Sequence, residues 1–147
     1  MSIEDPETNP SQQLVTFTQL AKGNTDEGWA TIDEQLAEYC NDPEFLTWAR
    51  ANTANEESGL RDLAATIFER SDAPLDDEDV SKLLILMREM DPDNPYPSFR
   101  AACALAKRPD NQGVREVLEE VRTKLKSFVD DEDVSGIAKQ YLEKLGA

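Results

Sequence analysis

Residues 76–107 read DDEDVSKLLILMREMDPDNPYPSFRAACALAK, and this stretch decides the fold. Asp76, Asp77, Glu78 and Asp79 form a negatively charged, capped start that suits the positive end of a helix dipole. Val80, Leu83, Leu84, Met87 and Met90 then recur at steps of three and four, the period of one helix face. The run Leu83 to Met87 is apolar on every side, which predicts the most enclosed helix of the molecule. The link from Asp91 to Pro97 cannot be helical throughout, because Pro92, Pro95 and Pro97 remove backbone donors and restrict their predecessors. A second helix is predicted from about Pro97 to Lys107 with Phe99, Ala102, Cys103 and Ala106 facing inward. Its small run Ala101 to Ala104 permits close helix approach. The stretch is therefore a helical hairpin with a proline-rich turn.

The same grammar extends outward in both directions. A first helix is predicted from Pro10 to about Lys22 (Leu14, Val15, Phe17, Leu20, Ala21), stopping at Gly23-Asn24. A second opens at Thr25-Asp26-Glu27 and carries Trp29, Ile32, Leu36, Tyr39 and Cys40 on one stripe. Asp42-Pro43 opens the third, with aspartate as N-cap, proline at the first helical position, and Phe45, Trp48 and Ala49 inward until near Asn55. The fourth, about Glu57 to Ser71, groups Leu60, Leu63, Ala64, Ile67 and Phe68. Beyond the central hairpin, a seventh helix spans Asn111 to about Val129 and an eighth spans Asp131 to Leu145, closed by Gly146. Strand signals are absent: β-branched residues never alternate usefully with polar ones, and no Asn-Gly or Asp-Gly turn occurs.

The hairpins start at Pro10, Pro43, Asp76 and Asn111, at intervals of 33, 33 and 35 residues, and a period in this range marks an α-solenoid. Leu60-Arg61-x-x-Ala64-Ala65, Phe99-Arg100-x-x-Cys103-Ala104 and Val134-Ser135-x-x-Ala138 repeat an apolar–Arg–x–x–small pattern, with Ser135 departing from it. On these residues the chain resembles the HEAT/armadillo-type repeat families from about Pro43 to Leu145. The resemblance implies an all-α, right-handed α-solenoid of about four helical hairpins (eight helices), one repeat domain over residues 10–147; the acidic residues 1–9 before it are expected to be disordered. It further implies a polar ladder pairing Asn55 with Arg61 and Asn94 with Arg100. Second helices line the concave face in such folds, which makes Arg61, Glu69, Arg70, Arg100, Lys107, Arg108 and Gln140 the expected partner-binding residues. Tyr96, in the proline-rich link, joins them as an expected exposed aromatic anchor. Trp29 and Trp48 fall instead on core stripes.

Charge narrows the function. The chain of 147 residues has 31 acids, 15 bases and no histidine, a net charge of −16. So negative a surface disfavours phosphate backbones and anionic lipid, so neither nucleic acid nor a membrane surface is an expected direct partner. Without histidine the chain lacks the residue most used for acid–base work near neutral pH. Adjacent Ser–Lys pairs, Ser81-Lys82 and Lys126-Ser127, point to different helix faces, so no nucleophile–base pair is evident and no enzyme activity is expected. Cys40 and Cys103 lack metal-ligand spacing and read as small core residues. Neither a metal nor another cofactor is expected. The hexapeptide DDEDVS occurs at residues 76–81 and again at residues 130–135. Neither copy has the alternating ligands, central Gly and distal Glu of a calcium loop, so both read as helix starts. Asp91-Pro92-Asp93-Asn94 reads as a rigid turn for the same reason.

The acidic opening residues are unlike a signal peptide, and no apolar run approaches the ~18–20 residues of a membrane span, so a cytoplasmic location is expected. Residues 1–60 carry 12 acids and 2 bases, and residues 61–147 carry 19 and 13, so a protein partner with a basic surface would meet the N-terminal part. The leading expectation is a non-catalytic protein–protein interaction module or adaptor. The alternatives are an acidic decoy that imitates DNA before a nucleic-acid-binding protein, a solubility adaptation to a salty cytoplasm, and an accessory subunit of an enzyme.

Overall fold

Short polar side chains start the helices. Thr25 accepts from the Gly28 amide, Asp42 from Glu44, Asp76 from Asp79, and Asn111 from Gly113 and Val114. Each thereby satisfies a backbone donor that the first helical turn leaves without an intrahelical partner. In a computed structural model that describes residues 10–91 and 93–146, all regular structure among those residues is helical. The elements are α1 (Pro10–Gly23), α2 (Asp26–Gln35), a 3-10 turn (Leu36–Glu38), α3 (Pro43–Asn52), α4 (Ser58–Arg70), α5 (Asp77–Met87), α6 (Tyr96–Ala106), α7 (Gln112–Arg115), α8 (Leu118–Lys126) and α9 (Ser135–Lys144). The disordered segment expected at residues 1–9 lies outside the described residues.

The chain forms two compact units that divide between Ala73 and Pro74. In the first, α1 packs on α2, α3 and α4, and α3 packs on α4. Phe17, Tyr39 and Phe45 make its aromatic centre: Phe17 meets the other two edge-on at 6.0 and 5.7 Å, and Tyr39 stacks on Phe45 at 5.5 Å. Such pairs add specific geometry to plain burial. Helices α1 and α4 approach so closely at Gly59 that a Cβ there would stand 2.0 Å from the Ala21 carbonyl oxygen. Helix α1 ends as expected, although Asn24 rather than Gly23 takes the left-handed conformation, with φ of 51°.

In the second unit α6 is the central helix, packed against α5, α8 and α9. Every residue from Ala101 to Ala106 is fully buried, and Phe99 meets Phe128 at 4.7 Å. This corrects the expectation that α5 is the most enclosed helix. Leu83, Leu86 and Met87 are buried, yet Ile85 is 69% exposed and Met90, beyond the helix end, is 86% exposed. The small side chains of α6 let neighbours close around it, whereas within this unit α5 packs against α6 and α7. Val15 on α1 likewise lies off the buried stripe, at 53% exposure.

Three boundaries differ from the sequence reading. The second helix tightens into the 3-10 turn at Leu36. The seventh breaks at Val117, whose φ of −120° and ψ of 16° separate α7 from α8, and the Val117 amide bonds to the Val114 carbonyl three residues back. The eighth starts at Ser135 rather than Asp131, because the second DDEDVS copy forms a turn. In the first copy Asp76 and Asp79 close a reciprocal capping box, each carboxylate accepting from the other's backbone amide. In the second copy Asp131 accepts from the Asp133 and Val134 amides, while the Asp133 carboxylate is engaged by Tyr96. The second copy is thus not the helix start that the sequence suggested.

Candidate functional site

The aromatic residue expected at an exposed turn is half-buried at the start of α6. Its hydroxyl stands 3.2 Å from Asp133 Oδ2 and 3.4 Å from Asp131 Oδ2. The Tyr96 phenol is pushed up to about 12 by its partial burial, the Asp131 charge and the hydrogen bond to Asp133, so it stays neutral and donates. Tyr96 fastens the start of α6 to the turn before α9. Before it, Asp91 accepts from the Asp93 amide and Asn94 from the Tyr96 amide.

The other expected partner-binding residues divide between the two units. In the first, Arg61 donates to the backbone carbonyls of Asn55 (2.7 Å) and Glu56 (3.1 Å), so the expected Asn55–Arg61 pair meets through the main chain. Glu69 is buried and lies 3.6 Å from Arg70, whose guanidinium also bonds to Asp33 at 2.9 Å. In the second, Arg100 is half-buried with its guanidinium carbon 5.7 Å from the Phe99 ring centroid. Gln140 is exposed on α9. Lys107 and Arg108 are brought together at the end of α6, where with Pro74, Leu75, Pro109, Asp110 and Asn111 they line a shallow groove of about 340 Å³. Arg108 donates to the Ala104 carbonyl there, the interaction a helix C-terminus favours. The Asn111 side-chain amide donates to the Leu75 carbonyl at 3.0 Å, joining two of the lining residues.

A second groove, of about 520 Å³, lies in the first unit and is lined by Leu14 from α1 and by Pro43, Glu44, Thr47 and Trp48 from α3. Its Trp48 corrects the core assignment: Phe45 and Ala49 fill the interior, and the indole is half-buried beside open space. Trp29 is also half-buried, its indole N–H donating to Asn24 Oδ1 at 2.8 Å. Glu44 went unnoticed in the sequence. The signal was its spacing of four from Trp48, which places both on one helix face once Trp48 is released from the core. The Ser11 hydroxyl reaches both carboxylate oxygens of Glu44 at 2.8 Å and fixes the side chain over the groove.

Cys40 and Cys103 are buried, and the Cys40 thiol donates to the Arg70 carbonyl at 3.3 Å. Among the described residues no group of three or more His, Cys, Asp or Glu side chains is placed to hold a metal ion, and no helix is long and apolar enough to cross a membrane. Compared with protein-family models, curated proteins and solved structures, the chain matches none.

Proposed function

We propose that the chain is a non-catalytic, cytoplasmic protein–protein interaction module or adaptor on a short, HEAT-like right-handed solenoid. The observation that carries this reading is the recurrence of capped first helices. Asp42, Asp76 and Asn111 cap α3, α5 and α7 at intervals of 34 and 35 residues, each beginning a helical pair or its equivalent. Arrays built this way expose long ridged surfaces, and their use is binding. The fold alone does not name a partner. The charge gives its sign: residues 1–73 hold 15 acids against 4 bases, and residues 74–147 hold 16 against 11, so a basic surface is favoured opposite the first unit. Affinity capture from native lysate with the full chain, followed by sedimentation of the purified complex, tests the reading. A partner in fixed stoichiometry supports it; a lone monomer across salt and pH conditions overturns it.

A further inference from the structure

The groove on α1 and α3 carries an inference that rests on the adaptor reading and deepens it. Glu44 has the Ser11 hydroxyl for a partner, and no cation among the described residues pairs with it. The Trp48 indole N–H makes no hydrogen bond among those residues, and the ring is half-buried beside the groove. Leu14 and Pro43 supply an apolar floor. An uncompensated carboxylate one turn from an accessible indole is a pairing that receives a flat cation. A guanidinium can stack on the indole face while pairing with the carboxylate, and the indole N–H can donate to a main-chain carbonyl of the same segment.

The surrounding charge points the same way. Residues 10–73 contain 12 acids and 4 bases. Of those bases, Lys22 pairs with Glu57, Arg70 with Asp33 and Glu69, and Arg61 is bound to two carbonyls. The unit's own cations are therefore largely committed, and its field draws positive charge. We infer that the groove lined by Leu14, Pro43, Glu44, Thr47 and Trp48 is the docking site for an arginine-bearing basic segment of a partner protein, with Trp48 as the stacking platform and Glu44 as the counter-ion.

A short synthetic peptide of alternating Arg and Ala, titrated into the full chain carrying Trp29→Phe, tests this by Trp48 fluorescence. The expected result is saturable binding, weaker by about threefold or more for the Lys counterpart of equal charge, since ammonium stacks less well than guanidinium. Glu44→Gln weakens the Arg peptide by about threefold, while Glu34→Gln, an exposed acid elsewhere in the same unit, changes it by less than about 1.5-fold. Trp48→Ala, checked for a native circular dichroism spectrum and titrated by isothermal calorimetry because it lacks the fluorophore, abolishes the Arg-over-Lys preference. Equal effects of the two Gln variants, or equal binding of the two peptides, mean that diffuse acidity holds basic segments and overturn the docking site while leaving the adaptor reading intact. Absence of any Arg-peptide binding at low salt also overturns the site. The adaptor reading itself fails only if native capture returns no partner.

Discussion

Replacing Tyr96 by Phe keeps the ring and removes only the hydroxyl, which lies 3.2 Å from Asp133 and 3.4 Å from Asp131. A hydroxyl has one proton, so it donates to one carboxylate at a time. A hydrogen bond to a charged acceptor contributes about 1.5–3 kcal/mol, and partial exposure of this one reduces the expected loss to about 1 kcal/mol. For a chain of this length that is a fall in Tm of roughly 2–4 °C per kcal/mol. The pH dependence sharpens the test. The folded-state phenol titrates at about 12, above its ordinary value near 10, so folding favours the protonated form. The stabilisation is complete below about pH 10. It declines as the pH rises through the window from about 10 to 12, because the unfolded chain sheds the proton first. Urea melts of the wild type and Tyr96→Phe at a series of pH values from 7 to 12 therefore show a gap that is constant to about pH 10 and then closes. A gap of zero at pH 7, or one that widens above pH 10, refutes the assignment of the hydroxyl as a neutral donor to these carboxylates.

The two DDEDVS copies give a paired comparison: Asp76→Ala breaks a capping box and costs about 1 kcal/mol by chemical denaturation, whereas Asp130→Ala changes stability by less than about 0.5 kcal/mol. Equal costs contradict the two conformations. Gly59→Ala drives a methyl into the Ala21 carbonyl, so it separates α1 from α4 and lowers stability by roughly 3 kcal/mol or more, read as a loss of tens of percent of the urea midpoint. A melt within experimental error of the wild type rejects the close approach. Arg88 bonds to both carboxylate oxygens of Glu120, at 2.6 and 2.8 Å, and holds that carboxyl below the usual glutamate range. In an NMR titration Arg88→Ala raises the Glu120 pKa toward the ordinary value. The linked stability is present above the unfolded-state pKa and is lost as the pH falls through the depressed folded value.

Much of the helical order was legible because it is written in neighbours. Thr25, Asp42, Asp76 and Asn111 cap helices through amides two or three residues away, and Gly146 takes the positive φ of 76° that ends α9. Those bonds close within one turn, so residue type and spacing suffice to read them. The candidate groove was only half legible. The spacing of Glu44 and Trp48 was visible, but the indole's exposure depends on Phe45 and Ala49 filling the interior first and on α1 bringing Leu14 alongside.

By itself, then, the sequence determined an all-helical chain, the starts of its capped helices, and the excess of acid in the first sixty residues. Tertiary structure decided which of two identical hexapeptides becomes a helix. Asp79 turns back to cap its own helix, while Asp133, with the same five neighbours in its hexapeptide, faces the Tyr96 hydroxyl 37 positions away in sequence. It also decided that α6 rather than α5 is the enclosed helix. Apolar content measures how much surface can be buried, but the partners available on each side determine how much is. The alanines of α6 admit helices around it, and Ile85, though flanked by leucines, is left facing water.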